Sequence, residues 1–264
     1  MQMPEIIQAG GYMEIRNQKK DAFLIPTGIH GLDVHLGGGV PPGSTILILA
    51  EPGAGSSTFA QQFSYGGLKN DDHVIYFTTD QPIEEIISEM DSFGMNTEEL
   101  IDRLEFVDAY TPRFYNLLPR GLRAEMEAKD YLKRSVDILN LLKSTILEER
   151  QTKYRMVIDS MSYFLRSYEI NEIVNMIEMM SSVSKINQSI NLLTMKSGMH
   201  EILIENTMKH ACDGVIEFRL NERGSEIERS MFIRKMRGML IPNQILPYKV
   251  TNKGIEPETT KRVL

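Results

Sequence analysis

Short runs rich in Ile, Val and Leu recur along this chain with amphipathic helical stretches between them, and this alternation constrains the fold more than any other feature. A strand covered on both faces reads as a continuous apolar run, and parallel neighbours need a crossover that a helix supplies. The pattern therefore predicts the α/β class, with a mostly parallel, twisted sheet flanked by helices. The first clear strand is Ser44 to Leu49, which follows the breakers Gly37-Gly38-Gly39 and Pro41-Pro42-Gly43 and runs into the turn Glu51-Pro52-Gly53-Ala54-Gly55. A helix is predicted from Ser57 to Leu68.

The next βα unit is Val74 to Thr78 followed by Glu84 to Phe93, where Ile83, Ile86, Ile87 and Met90 keep a helical spacing. Leu104 to Val107 reads as a strand, Asp108 to Gly121 as a loop and Leu122 to Arg150 as a long charged helix. Met156 to Ile158 is a buried strand, Glu169 to Lys185 a helix and Ile190 to Met195 a strand. The pattern then shifts to consecutive antiparallel strands at Gly214 to Leu220, Glu228 to Lys235 and Ile245 to Thr251. With no repeat and no Gly/Ser-rich linker, residues 23–258 read as one domain between an N-terminal extension, 1–22, and a tail, 259–264.

Charge and cysteine usage exclude several function classes. The 29 Lys and Arg against 36 Asp and Glu leave a net charge of -7, which disfavours a protein that lives on nucleic-acid phosphates. The single cysteine, Cys212, excludes an internal disulfide and suits a reducing, cytoplasmic location. No apolar run approaches the ~20 residues of a membrane span. The histidines lack metal-ligand spacing, so no transition-metal site is expected.

A strand, a Gly-rich turn and a helix are the parts of a P-loop, whose main-chain N–H groups and helix start cradle phosphates. The full pattern is G-x-x-x-x-G-K-[ST], and residues 50–57 read A-E-P-G-A-G-S-S. Gly55 fits the second glycine and Ser57 the Mg²⁺-binding hydroxyl, but Ala50 replaces the first glycine and Ser56 the lysine. The candidate phosphate-binding residues are Pro52, Gly53, Ala54, Gly55, Ser56, Ser57 and Thr58. The missing ammonium is worth about 4 kcal/mol against one unit charge at ~4 Å and an effective dielectric of 20. Phosphate binding and γ-phosphoryl transfer thus become separate questions, and a plain strand-to-helix turn is the alternative. Asp159 ends the strand beginning at Tyr154, where a P-loop protein keeps an Mg²⁺-holding aspartate, although an ordinary turn residue also fits. Asp80 and Gln81 close the strand after the loop helix, where a glutamate orients the attacking water; Gln81 can bind a water but cannot take its proton.

With these pieces in order, the sequence resembles the KaiC-like branch of the RecA/RadA superfamily of P-loop ATPases, from about Phe23 to Pro257. Ile25-Pro26-Thr27-Gly28-Ile29-His30-Gly31-Leu32-Asp33 with Leu36-Gly37-Gly38-Gly39-Val40-Pro41 is similar to the family's lead-in to the P-loop. Ala211-Cys212-Asp213-Gly214-Val215-Ile216 and Lys235-Met236-Arg237-Gly238 are similar to its C-terminal strand pair. The resemblance implies a RecA-like core, ATP or ADP with Mg²⁺, and homo-oligomers, commonly hexamer-like rings, with nucleotide between subunits. It also implies that Lys235 and Arg237 reach the phosphate held by a neighbouring copy; a solvated basic sheet edge is the other reading. The family's paired glutamates align with Asp80 and Gln81.

The expected function is a degenerate family member with little or no ATPase activity, which keeps Ser57 and Asp159 for Mg²⁺ and acts in signalling or scaffolding through copies of itself or a partner. The alternatives are an active ATPase that borrows Lys235 or Arg237 from a neighbour, and a recombinase-like DNA-binding protein. Lys196, just after the strand ending at Met195, reads first as a surface lysine and second as a substitute charge in cis.

Overall fold

The computed structural model describes residues 7–9, 12–14, 23–114, 117, 137–148, 153–241 and 244–258. In chain order the strands are β1 (Ile7–Ala9), β2 (Tyr12–Glu14), β3 (Thr45–Ala50), β4 (His73–Thr78), β5 (Leu104–Asp108), β6 (Tyr154–Asp159), β7 (Ile190–Lys196), β8 (Gly214–Arg223), β9 (Glu226–Met236), β10 (Leu246–Thr251) and β11 (Gly254–Pro257). The α-helices are α1 (His30–His35), α2 (Ser56–Lys69), α3 (Ile83–Ser92), α4 (Ile138–Leu147), α5 (Met161–Ser167), α6 (Ile170–Asn187) and α7 (Ile202–Ala211).

Strands β3 to β11 form a nine-stranded sheet in the order β11-β10-β9-β8-β3-β7-β6-β4-β5, while β1 and β2 pair with each other. The run from β8 to β5 is parallel, and β9, β10 and β11 continue the sheet antiparallel. This is the mostly parallel sheet with C-terminal antiparallel strands that the apolar pattern predicts. β3 lies between β7 and β8 and is buried along its whole length.

Successive side chains of a strand face opposite sides, so β3 feeds two cores. Ile46, Ile48 and Ala50 pack with Phe59 and Phe63 of α2 and Ile86 and Met90 of α3. Leu47 and Leu49 pack on the other face with Leu142 of α4, Phe164 of α5, Ile177 of α6 and Met208 of α7. Ten buried methionines lie in these two clusters, which matches flexible core filling. Before β3, Asp33 of α1 accepts the Thr27 N–H and hydroxyl, both at 2.7 Å, and the Gly28 N–H at 3.2 Å, which closes the lead-in onto the sheet.

Predicted and observed strands agree to within a few residues, except that β1, β2 and β11 and helices α1, α5 and α7 are not predicted from the sequence. Of the helix predicted over Leu122 to Arg150, the described part is α4; the rest lies outside the described residues. The 259–264 tail and most of the 1–22 extension also lie outside them.

Candidate phosphate site

At the C-terminal edge of the parallel strands, register decides which residues meet. Ala50 pairs with Lys196 on one side and with Phe218 on the other. Two strands away, Thr78 lies opposite Asp159. Open α/β sheets bind ligands outside this edge.

The chain leaves β3 through Glu51–Gly55 and enters α2 at Ser56. Gly53 and Gly55 have φ of +84° and +94°, a conformation that side chains with a Cβ rarely adopt. The loop is braced from three sides: Ala54 N–H donates to the Glu51 carbonyl at 3.0 Å, Leu220 N–H donates to Glu51 Oε2 at 3.2 Å, and the buried Tyr248 hydroxyl donates to the Ala54 carbonyl. The first bond into the helix runs from Phe59 N–H to the Gly55 carbonyl at 2.9 Å. The N–H groups of Ser56, Ser57 and Thr58 come before that ladder starts, and the helix carries about half a positive charge at this end. A Cβ on Gly53 would meet nothing nearer than Leu220 Cδ1 at 3.8 Å, so there is room beside Gly53, whereas one on Gly55 would lie 3.3 Å from Ile255 Cδ1. Donors, dipole and space fit a phosphate chain.

Asp159 ends β6 with its carboxylate held at both oxygens: the Tyr76 hydroxyl donates to Oδ2 at 2.9 Å and the Thr194 hydroxyl to Oδ1 at 2.5 Å. Burial raises its pKa above the usual carboxylate value, against the Thr194 hydrogen bond and the nearby Lys196 charge, both of which favour the ion. A buried, hydrogen-bonded oxygen donor beside a phosphate cradle suits a hard divalent cation. The sequence reading missed Tyr76 and Thr194. Their signal is weak, one polar-tipped side chain among several polar positions on each of two mainly apolar strands.

Asp80 and Gln81 point to different partners. Asp80 is exposed, and its carboxylate accepts the Ser160 hydroxyl at 2.8 Å, with the Thr79 hydroxyl 3.2 Å away. Gln81 donates from Nε2 to Glu89 Oε1 of α3 at 2.8 Å, and Gln61 of α2 donates to the other Glu89 oxygen at 2.6 Å. The Gln81 amide is thus turned into a three-residue network between two helices.

Lys196 is not a free surface lysine, the first of its two sequence readings. It is half-buried, and its Nζ donates to Ser56 Oγ at 2.8 Å. Its position comes from the β3–β7 register, which separations along the sequence do not reveal.

Lys235 and Arg237 lie at the other end of the sheet. Gly214, which pairs with Met236, also pairs with Ile46 at the start of β3, four residues before Ala50 and so about 13 Å from the loop. Lys235 Nζ donates to the carbonyls of Lys209 at 2.8 Å and His210 at 3.2 Å, closing the last turn of α7. Burial and the neighbouring Arg237 charge lower its pKa. Arg237 follows the strand end and donates to Asp213 Oδ1 at 2.8 Å. Neither cation meets the loop of its own chain.

A separate cavity of about 700 Å³ lies along the C-terminal half of α2, lined by Asp33, Gln62, Tyr65, Lys69 and Lys253 among others, and includes no residue of the loop. Among the described residues, no cluster of His, Cys, Asp and Glu is arranged to hold a metal, and no helix is long and apolar enough to cross a membrane.

Comparison with known proteins adds three findings. The family described as ATPase: KaiC matches residues 25–261. A UPF0273 protein of Thermotoga maritima is 28% identical over 238 residues, covering 88% of this chain and 94% of that protein, and the circadian clock oscillator protein KaiC of Parathermosynechococcus lividus is 26% identical over 87% of this chain and 41% of its own length. In fold, the crystal structure of a KaiC-like protein from Pyrococcus horikoshii superposes with a TM-score of 0.65 at 24% identity, covering 90% of this chain and 99% of that one.

Proposed function

Since the chain belongs to the KaiC family of ATPases, we propose that it binds ATP or ADP with Mg²⁺ at residues 52–58 and turns the nucleotide over slowly or not at all. It serves as a regulatory or scaffolding protein whose assembly, with its own copies or a signalling partner, responds to nucleotide. The main chain of Gly53 to Thr58 holds the phosphates, and the Ser57 hydroxyl and Asp159 hold the magnesium. Bound magnesium neutralises phosphate charge, which is the chemistry it supplies.

The observation that carries this reading is the pair of side chains closing β4. A water-activating base must reach the water, yet Gln81 has no basic oxygen to offer and is bound to Glu89, and the Asp80 carboxylate is one methylene shorter than a glutamate and is held on one side by the Ser160 hydroxyl. The cradle on the other side of the site keeps its donors. Such a site favours binding over hydrolysis.

A second reading has a specific observation behind it. Lys235 and Arg237 sit too far from their own loop to serve it, so any phosphate they contact belongs to another copy. An ATPase completed in that way gains activity as copies associate.

Titration calorimetry with ATP and Mg²⁺, with released phosphate read in the same samples, tests both. Binding with release at background rate is the expected result. Release that rises with protein concentration and falls in Lys235→Ala or Arg237→Ala establishes the shared-site ATPase instead, and no heat of binding rejects the nucleotide site altogether.

A further inference from the structure

We infer that Lys196 supplies, from the end of β7, the positive charge that the phosphate loop lacks at Ser56. The inference rests on the nucleotide-site reading and names the residue that compensates for its missing lysine.

The backbone places Lys196 firmly. It pairs in register with Ala50, the last residue before the loop, and the next residue, Ser197, donates its N–H to the Ala50 carbonyl at 2.9 Å. On the other side the Lys196 N–H donates to Ser162 Oγ of α5 at 3.2 Å. The side chain then spans to the loop and donates from Nζ to Ser56 Oγ at 2.8 Å. Ser56 is the residue that stands where the P-loop pattern has its lysine, so the ammonium arrives from the neighbouring strand at the first residue of α2.

Electrostatics give this position a purpose. The start of a 14-residue helix carries a partial positive charge, so an ammonium placed there is repelled by the dipole. The nearby acid, Asp159, attracts Lys196 at a distance but has both oxygens hydrogen-bonded to Tyr76 and Thr194, and Lys196 makes no direct ion pair among the described residues. A cation and three helix-start N–H groups converging on one open space are mutually repulsive until an anion separates them. A polyphosphate chain is the ligand chemistry that satisfies all four donors at once. The short Ser56 side chain leaves room for this arrangement, because a lysine at that position would bring a second ammonium against the first.

The test uses the full chain and Lys196→Met, which keeps most of the stem and removes the charge. Calorimetry with Mg²⁺ and ATP, and separately with tripolyphosphate, is expected to show affinity at least tenfold weaker in the variant. Melting without ligand is expected to change little, because the repulsion from the helix start and the attraction to Asp159 are removed together. Adding Ser56→Lys to Lys196→Met is expected to restore most of the lost affinity. Affinity within twofold of the parent overturns the inference while leaving the nucleotide site intact; a parent chain that binds neither ligand rejects the site itself and this inference with it. If Lys196→Met does not fold, Lys196→Arg must retain binding that Lys196→Gln loses, and equal binding by those two overturns the assignment.

Discussion

The Arg155 guanidinium and the Asp72 carboxylate meet at 2.7 Å in the interior, with side-chain exposures of 1% and 4%. The remaining guanidinium nitrogens donate to the carbonyls of Pro26 at 2.8 Å and Thr27 at 3.2 Å, and the cation lies over the Phe63 ring. One side chain of β6 thus joins the lead-in, the turn after α2 and the helix that follows the Gly-rich loop. Breaking a buried pair costs about 3–5 kcal/mol where it leaves an uncompensated charge, but Lys153 Nζ also lies 3.4 Å from Asp72 Oδ1 and keeps part of the compensation. Arg155→Met is expected to lose up to that much in urea unfolding, and the added change Asp72→Asn to recover only part of it, since the Pro26 and Thr27 carbonyls stay without their donor. A single variant that unfolds with the parent would show that water reaches the pair.

Gly66 of α2 sets two effects against each other. Alanine favours a helix interior over glycine by about 1 kcal/mol. A Cβ there, however, meets Gly28 Cα at 2.5 Å, and Gly28 has φ of +87° and backbone that cannot swing aside like a side chain. Overpacking of this kind costs about 1–3 kcal/mol. Gly66→Ala is therefore expected to lower the melting temperature, and a higher one would mean that the lead-in lifts away easily.

Asp159 gives a pH signature. Burial holds its folded pKa above the unfolded value of about 3.9, so the folded state keeps the proton longer and ionisation costs stability. That cost is absent below the unfolded pKa and grows as pH rises through the raised folded value. Asp159→Asn is expected to melt higher than the parent at pH 7, with the gap closing near pH 4, and to lose Mg²⁺-dependent nucleotide binding. Melting curves at the two pH values decide it; equal curves at pH 7 would mean that the carboxylate is well solvated.

Glu217 runs the other way. Burial by itself raises its pKa, but Arg234 and Lys209 outweigh that and hold it below the usual value. The stability it contributes is present above the unfolded pKa of about 4.3 and is lost as pH falls through the folded one. Its cationic partners Arg219 and Arg234 are about half exposed, at 50% and 45%, so solvent screening limits the contribution to about 1 kcal/mol. Glu217→Gln is expected to lose about that much at neutral pH and little at pH 3 by denaturant titration.

Restoring a glutamate at position 81 is not expected to restore catalysis. The Gln81 amide donates to Glu89 at 2.8 Å, so Gln81→Glu sets two carboxylates against each other. A loss of about 1 kcal/mol is expected, recovered by Glu89→Gln in a double-mutant cycle. A stable single variant with raised phosphate release would show instead that residue 81 turns toward the loop.

The parallel sheet was legible because its strands are short apolar runs bounded by glycine and proline, as at Ser44 to Leu49. Helix α7 was not, because Ile202 and Leu203 face solvent at 78% and 73% exposure and only Met208 is buried, so no apolar stripe marks it. Helix α5 has only seven residues, too few for a periodicity to register. The Gly-rich turn between β3 and α2 could be read from local spacing alone. The contact from Lys196 to Ser56 spans 140 residues and depends on which strand neighbours β3, information that lies in the pairing of strands and not in any motif.

The central place of β3 also has a consequence for how the chain reaches its fold. Thr45 pairs with Asn191 and Ile46 with Gly214, so both neighbours of this strand arrive more than a hundred residues after it. During synthesis the strand and the loop it carries wait with two open hydrogen-bonding edges until β7 and β8 have emerged. Such long-range closure slows folding and leaves apolar edges open to wrong partners. A nascent chain halted before Phe218 carries the complete loop sequence without the frame that shapes it, and leaves an edge of β3 open to pairing with other chains.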